Sequence, residues 1–338
     1  MDLYSTTALN GVVDSLKRPT LFLLNSAFGT VMTSDSEEIY FDVLTGNRKL
    51  APFVSPLREG KVVATEGYTT KSFKPAYVKP KHVVKPGQAF KRAAGETIGG
   101  TLAPAQRMAA TVAQILMNDI ESIDRRLEWM AASALRTGKI TVSGEGYGTV
   151  ELDFGRNSAH TVTLSGGDRW SESTATPLED LDAWTDLIHK NEGATANKVV
   201  MDPDAFKAFK SHASVKDILD LRKAKQGEVD LGPSAAKGAR FRGLIGDLEI
   251  WTYSDWYEDD VGVTQPILPS GTVILFGDDV EGIRAFGAIH DEAAGLQARE
   301  YFSKSWVQED PSVRFIMTQS APLVVPQRPN ATLGASVL

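Results

Sequence analysis

The residues that could do chemistry are few and widely separated in this sequence. Cysteine is absent, which excludes a thiolate nucleophile, a disulfide framework and a cysteine-based zinc site. A metal site would depend on carboxylates, but the adjacent pairs Asp259–Asp260 and Asp278–Asp279 would point to opposite faces of a strand, so we interpret them as acids in turns. No two histidines have the spacing of a ligand pair. The five are His82, His160, His189, His212 and His290.

The run His290-Asp291-Glu292 is the best candidate for acid–base chemistry. A histidine beside carboxylates can hold and transfer a proton, so one alternative is a soluble α/β enzyme that uses these residues. No nucleophile motif such as G-x-S-x-G accompanies them. The glycine-rich stretch Gly144 to Gly148 lies between two strand patterns, which predicts a hairpin turn and not a nucleotide loop. We therefore predict no catalytic, cofactor-binding or metal-binding residues and a protein that is not an enzyme.

Length and composition indicate a soluble globular protein with room for roughly two domains. The chain has 338 residues, of which 42% are hydrophobic and 23% charged. No apolar run approaches the ~20 residues of a membrane helix, and the first residues lack the pattern of a secretory signal. The absence of cysteine fits a reducing, cytosolic setting. The net charge of -7 argues against a dedicated DNA-binding surface, which is usually basic.

The element that must organise the chain is a helix predicted from Pro104 to Thr137. Proline suits a first helical turn, and Gly138 suits the position just past the end. Apolar residues recur at gaps of three and four, the helical period. A helix of this length spans roughly 50 Å, so it is either a long core helix or the spine of a flat subunit. The polar residues, which we assign to the opposite face, are Arg107, Asn118, Asp119, Glu121, Asp124, Arg125, Arg126, Glu128 and Arg136.

A second unusual stretch runs from residue 54 to residue 92. Residues 61–65 have strand character, and Gly67 offers a turn. Pro75, Pro80 and Pro86 then exclude both a helix and a central strand, which favours an extended two-stranded arm. An isolated ribbon of this kind is not stable in water. It must therefore lie either on its own domain or on a neighbouring subunit.

The stretch from residue 54 to residue 92 is also strongly basic. It holds nine lysines and arginines and two acids, so its net charge is near +7 and the rest of the chain sums to about -14. A run of like charge is most often a solvated face, but this one coincides with the segment predicted to leave the body. The basic residues are Arg58, Lys61, Lys71, Lys74, Lys79, Lys81, Lys85, Lys91 and Arg92.

The remaining elements are short and alternate. Glu38 to Val43 alternates as a half-buried strand, and three strand patterns after the long helix predict a mostly antiparallel layer packed on it. Residues 175–295 read as an α/β unit, whose loop Asp255 to Asp260 is aromatic and suggests a contact surface. The predicted segments are helices at 5–16, 177–189 and 203–211, and strands at 139–142, 148–154, 161–164, 198–201, 248–253, 272–276, 283–288 and 315–317.

Several of these stretches together resemble one known family. They are Val54-Ser55-Pro56-Leu57, the run Phe73 to His82, the turn Ser165-Gly166-Gly167-Asp168-Arg169-Trp170, Trp306-Val307, and Phe315 to Leu323. They follow one another along nearly the whole chain, and residues 215–265 are the least similar part. On these residues the chain resembles the lambda-type major capsid proteins of tailed phages, the phage capsid E family.

The resemblance implies an α+β fold of the HK97-like phage capsid type. By residue number it implies an N-terminal arm at 1–50, an extended E-loop at 51–100 and a peripheral domain at 101–174, which contains the spine helix 104–137 and a β layer. It further implies an axial domain at 175–295, and a return to the peripheral domain with the C-terminal tail at 296–338.

The function that the resemblance implies is structural. Many copies would form hexamers and pentamers of an icosahedral head around double-stranded DNA, assembled in the host bacterial cytoplasm and retained in the virion. The implied partners are portal, scaffold and decoration proteins, with non-specific DNA contact, no cofactor and no membrane. An encapsulin-like nanocompartment shell is the alternative within the fold. Inter-subunit contacts are expected from the E-loop residues Lys61, Val62, Phe73, Lys74, Tyr77, Val78, Lys79, Lys81 and His82.

Overall fold

The structure, a computed structural model, describes residues 4–16, 20–45, 50, 53–56, 58–59, 67–87, 102–144, 146–216, 237–259, 261–310 and 312–338. In these ranges the helices are α1 Thr6–Ser15, α2 Phe22–Ala27, α3 Pro104–Thr137, α4 Pro177–Glu192 and α5 Pro203–Ser211. The strands are β1 Thr30–Ser34, β2 Ile39–Thr45, β3 Gly67–Phe73, β4 Lys81–Val84, β5 Lys139–Gly144, β6 Tyr147–Asp153, β7 Thr161–Thr163, β8 Lys198–Met201, β9 Ala239–Ile245, β10 Leu248–Tyr253, β11 Trp256–Glu258, β12 Thr264–Pro266, β13 Thr272–Phe276, β14 Gly282–Gly287, β15 Phe302–Gln308, β16 Val313–Gln319, β17 Pro322–Pro326 and β18 Leu333–Ser336.

The long helix α3 has the bounds that the sequence predicts. Pro104 opens it, and Gly138 ends it in the left-handed conformation with φ of 69°. The apolar stripe is buried, but Asp119, Asp124 and Glu128 are buried as well, so assigning these three to a polar face opposite the stripe was wrong. The reason is tertiary: α1, α2, β5, β16, β17 and β18 all pack on α3 and enclose more than one of its sides.

Helix α3 also joins the two larger of the three buried apolar clusters in the described residues. Its N-terminal half contributes Val112, Leu116 and Ile120 to a cluster with α1, β4 and β16. Its C-terminal half contributes Leu127 and Met130 to the main core, which contains the largest sheet. The helix is therefore a long core helix, and its role as the spine of a flat subunit stays a prediction.

The largest sheet has six strands in the order β7-β18-β13-β8-β10-β9. Every residue of β13 is buried, as expected for a strand covered on both faces. The predicted strand at 161–164 is present as β7, but it pairs in parallel with β18 from the C-terminal end of the chain. The prediction that it extends the layer after α3 was wrong, because strand periodicity identifies a strand and not its partner. Strands β5 and β6 form a separate hairpin around the predicted glycine turn.

The other sheets are small and link distant segments. A three-stranded sheet has the order β1-β14-β17, and another has the order β15-β16-β4. Strands β11 and β12 form a hairpin. The six-stranded sheet draws strands from residues 161–163 and 333–336 as well as from 198–276, so it crosses the predicted domain boundaries at 174 and 295.

A two-stranded ribbon is formed by β2 and β3. Its antiparallel register runs from Ile39 opposite Phe73 to Thr45 opposite Gly67. The first strand of the extended arm therefore comes from residues 39–45, which the sequence had assigned to the N-terminal arm. The strand predicted at 61–65 lies outside the described residues.

Candidate assembly surface

The run His290-Asp291-Glu292 has a structural role. The Asp291 carboxylate forms an ion pair with Lys304 and accepts a hydrogen bond of 3.0 Å from Gln319 Nε2. Burial alone would raise the pKa of Asp291, but these donors bring it below its usual value. His290 is exposed, and its ring centroid lies 5.6 Å from that of Tyr77. The Asp291 carboxylate thus ties its own loop to strands β15 and β16.

The described parts of the chain contain no group of three histidine, cysteine or acidic residues placed to hold a metal ion. No described helix is long and apolar enough to cross a membrane.

The segment after the ribbon lies on its own subunit. Phe73 packs against the main core, and Lys74 forms an ion pair with Glu37. The Tyr77 hydroxyl donates to the carbonyl of Ala288. Val78 exchanges two backbone hydrogen bonds of 2.9 and 3.0 Å with Ser320. The segment that carries Pro75 and Pro80 is therefore fastened along its length by the C-terminal part of the same chain.

The lysines of this segment lie over aromatic rings. The Lys79 ammonium is 4.6 Å from the centre of the Tyr77 ring. The Lys81 ammonium is 4.1 Å from the centre of the Phe315 ring on β16, the strand that pairs with β4. Cations above aromatic faces are attracted by about 0.5–1 kcal/mol at exposed sites. Part of the basic charge of the arm thus stabilises the subunit itself.

Asp119 connects three elements at one point. Its carboxylate is 2.6 Å from Nε2 of His82 on β4 and accepts a hydrogen bond of 2.8 Å from the Thr318 hydroxyl on β16. Burial raises the pKa of Asp119, while the hydrogen bonds from Thr318 and His82 oppose that rise. The end of the arm is thereby held against the middle of α3.

Two further acids of α3 make comparable connections. Glu128 accepts hydrogen bonds of 2.9 Å from the N–H groups of Leu23 and Leu24 and from the Tyr253 hydroxyl. Asp124 accepts a hydrogen bond from the Tyr301 hydroxyl. The buried roles of these three acids are not predicted from the sequence. The available signal was weak: each lies next to a core residue of the stripe, as in Asp119-Ile120 and Ile123-Asp124.

The outer face of the ribbon carries three large exposed side chains. Ile39, Phe41 and Val43 point inward and are buried, and the alternate positions Tyr40 and Leu44 point outward. Tyr68 lies directly opposite Leu44 in the register and is 67% exposed. On the same face, between Tyr40 and this pair, Asp42 accepts a hydrogen bond of 2.6 Å from the Thr70 hydroxyl. Large exposed side chains on one strand face can mark an interaction site, so this face is our candidate assembly surface.

The E-loop residues predicted to contact neighbours divide into two groups. Lys61 and Val62 lie outside the described residues. The other seven, which are Phe73, Lys74, Tyr77, Val78, Lys79, Lys81 and His82, all contact their own chain. Their role between subunits stays a prediction.

A 34-residue helix that runs through two apolar clusters, and a ribbon with large exposed side chains on its outer face, are features typical of a subunit that assembles with others. Residues 5–337 match the family described as phage major capsid protein E. The chain is 32% identical to the major capsid protein of Escherichia phage lambda over 333 residues, and 31% identical to that of Escherichia phage N15 over 334, with 96% of each chain covered. A solved prophage capsid protein from Escherichia coli CFT073 aligns with a TM-score of 0.76 at 23% identity, over 98% of this chain and 99% of that one.

The chain therefore belongs to the phage major capsid protein E family and has the HK97-like fold. It is a structural capsid protein and not an enzyme, a component of the virion that assembles into multimeric shells. Neither the family nor these relatives favour the encapsulin-like alternative.

Proposed function

We propose that this capsid protein forms hexamers and pentamers that close into an icosahedral head around double-stranded DNA. Assembly takes place in the host bacterial cytoplasm, with portal, scaffold and decoration proteins as partners. Within the subunit, the arm of residues 51–100 acts as the E-loop, residues 101–174 and 296–338 form the peripheral domain, and 175–295 form the axial domain. Contact with packaged DNA is non-specific, because the net charge of -7 disfavours phosphate binding.

The observation that carries this proposal is the outer face of the ribbon. Tyr40, Leu44 and Tyr68 are exposed on an extended, two-stranded element. Fully burying a large apolar side chain contributes about 1.5–3 kcal/mol, so a neighbour that covers these three supplies a substantial part of one contact. The basic charge near the ribbon adds exposed ion pairs of ~0.2–1 kcal/mol each. Because the same contact is repeated around each capsomer, the contributions of apolar burial and of ion pairs are both multiplied.

The experiment compares assembly of three proteins co-expressed with the scaffold. We expect the wild type to sediment as capsomers and shells that are visible in negative stain. The double variant Leu44→Ser, Tyr68→Ser should keep the circular dichroism spectrum of the wild type and lose most assembly, because its outer face is polar. The control Leu296→Ser alters an exposed leucine that belongs to neither strand of the ribbon and should assemble normally.

Two results would contradict the proposal. A wild-type protein that sediments as a sharp monomer peak under all conditions, with no shells, would remove the assembly function. A double variant that assembles as well as the wild type would show that the ribbon face is not an interface.

A further inference from the structure

The hairpin β11–β12 presents a second exposed surface, with different chemistry. Its register places Trp256 opposite Pro266 and Glu258 opposite Thr264 on the outward side. Tyr257 points the other way and packs against the main core. Trp256 is 53% exposed although its side chain is large and aromatic. Because its inward side is anchored, the hairpin holds its outward side in a fixed position.

The tip of this hairpin carries exposed apolar side chains next to an acid. Val261 is 86% exposed, and Val263 is also exposed. The Asp259 carboxylate accepts hydrogen bonds from the N–H groups of Val263 at 2.8 Å and Val261 at 3.0 Å, which lowers the pKa of Asp259 and keeps it ionised at neutral pH. The turn is therefore charged and fixed by its own backbone.

The charge around the hairpin is the reverse of that in the arm. Residues 243–283 contain nine acids and no lysine, arginine or histidine. Several of these acids are used internally, such as Asp278, which pairs with Lys198 at 2.8 Å. Among the described residues, no ion pair involves Glu258 or Asp259. Their negative charge is available to a partner.

The far end of the arm carries exposed apolar side chains and an exposed guanidinium group. Phe53 is completely exposed, Leu50 is almost completely exposed, and Arg58 is exposed together with its neighbour Glu59. Lys71, by contrast, already donates a hydrogen bond of 2.7 Å to the carbonyl of Asp153 in its own chain. Within one subunit, therefore, neither the side chain of Phe53 nor that of Val261 is covered.

We propose that the acidic, aromatic hairpin of residues 255–266 binds the far end of the basic arm of a second copy of this chain. Glu258 supplies the charge partner for an arm cation, and the exposed Trp256 ring supplies a face for a guanidinium or ammonium group. Val261 and Val263 cover Phe53. The contact is head to tail, so it generates a ring when the rotation closes. It rests on the proposed assembly function and names the surface that receives the arm.

Introduced cysteines test this pairing directly, because the chain has no cysteine of its own. Shells of the double variant Phe53→Cys, Val261→Cys are oxidised and run on a non-reducing gel. We expect a ladder of covalent multimers that disappears on reduction. Each single variant should remain a monomer band. The matched control Phe53→Cys, Leu296→Cys pairs the same arm position with an exposed residue outside the hairpin and should also give no ladder.

The outcomes separate this inference from the assembly function. Shells that form without a ladder would overturn the inference and leave assembly intact, and the hairpin would then face a different protein. An equally strong ladder from the Leu296 control would also overturn it. If no shells form for the wild type, the assembly function fails first.

A charge exchange tests the ionic part of the contact. Glu258→Arg and Arg58→Glu should each lower the yield of shells, most strongly at low salt, where screening is weakest. The two together should restore it. Single variants that impair assembly, combined with a double variant that stays impaired, would contradict the pairing.

Discussion

Single buried polar residues join segments of this protein that are distant in sequence. Glu128 on α3 receives two backbone N–H groups near the start of α2 and the hydroxyl of Tyr253. Asp119 does the same for β4 and β16 through His82 and Thr318. Removing one partner from such a site leaves the others buried without hydrogen bonds, which costs about 1–3 kcal/mol for each group.

The Glu128→Leu variant tests this role. It keeps an apolar side chain of similar size in the core and leaves three donors unpaired, so we expect a loss in free energy of unfolding on the order of 3 kcal/mol or more. The control Glu121→Leu alters a partly exposed acid on the same helix and should change stability little. Urea unfolding of both variants provides the measurement. Equal losses would show that the Glu128 contacts contribute nothing specific.

His160 should make stability depend on pH. It is fully buried, its Nδ1 donates to the Thr332 carbonyl at 3.1 Å, and its Nε2 accepts from the Asn191 amide at 2.8 Å. Burial lowers the pKa of His160 below 6.5, so the unfolded chain binds the proton more tightly. Stability should therefore fall as pH drops below 6.5.

The variant His160→Gln lacks this titration, and the difference in unfolding free energy between wild type and variant measures it. As the pH falls from 7 to 5, the wild type should lose unfolding free energy relative to the variant. A difference that stays constant over this range would show that His160 does not couple protonation to folding.

At the scale of elements, the C-terminal end of α3 is closed by Arg156 and Gly138. Arg156 donates hydrogen bonds of 2.7 and 2.6 Å to the carbonyls of Leu135 and Arg136, which the helix leaves without partners. Burial lowers the pKa of Arg156 to about 10, so the guanidinium stays charged at neutral pH. Its positive charge is attracted to the negative, C-terminal end of the helix dipole. A Cβ at Gly138 would lie 2.7 Å from the Cβ of Arg156.

A pair of glycine substitutions separates backbone strain from this packing. Gly138 and Gly146 both have positive φ, of 69° and 74°, but a Cβ at Gly146 meets nothing within 4 Å. Gly146→Ala should cost roughly 1–2 kcal/mol from the left-handed conformation alone. Gly138→Ala should cost clearly more, because the Arg156 side chain must move. Thermal unfolding of the two variants measures the difference. Equal losses of stability would mean that the Arg156 side chain moves aside at no energetic cost.

At the scale of the whole molecule, we expect the shell to be held by non-covalent contacts. The chain has no cysteine, and no lysine, asparagine and glutamate set suited to an isopeptide bond is identifiable from the sequence. Mature particles boiled in detergent should therefore run as one band near 36.6 kDa. A ladder of multimers under reducing conditions would show covalent joining and refute this prediction.

The sequence by itself determined the elements whose signals are local. The bounds of α3 follow from Pro104, Gly138 and an unbroken apolar period. The start of α5 follows from Asp202, whose carboxylate accepts the N–H groups of Asp204 and Ala205. Strands β8, β10 and β13 follow from short apolar runs. The family and its capsid function were also recognisable, because the resembling stretches occur in order along the whole chain.

Only the tertiary structure decided which elements meet. Strand β2 pairs with β3 across a gap of more than twenty residues, and β7, near the middle of the chain, pairs with β18 near its C-terminal end. Asp119, Asp124 and Glu128 have the local pattern of surface acids and are buried because elements from three other parts of the chain close over them. A residue's periodicity records its own helix or strand, whereas burial depends on partners whose positions no local pattern encodes.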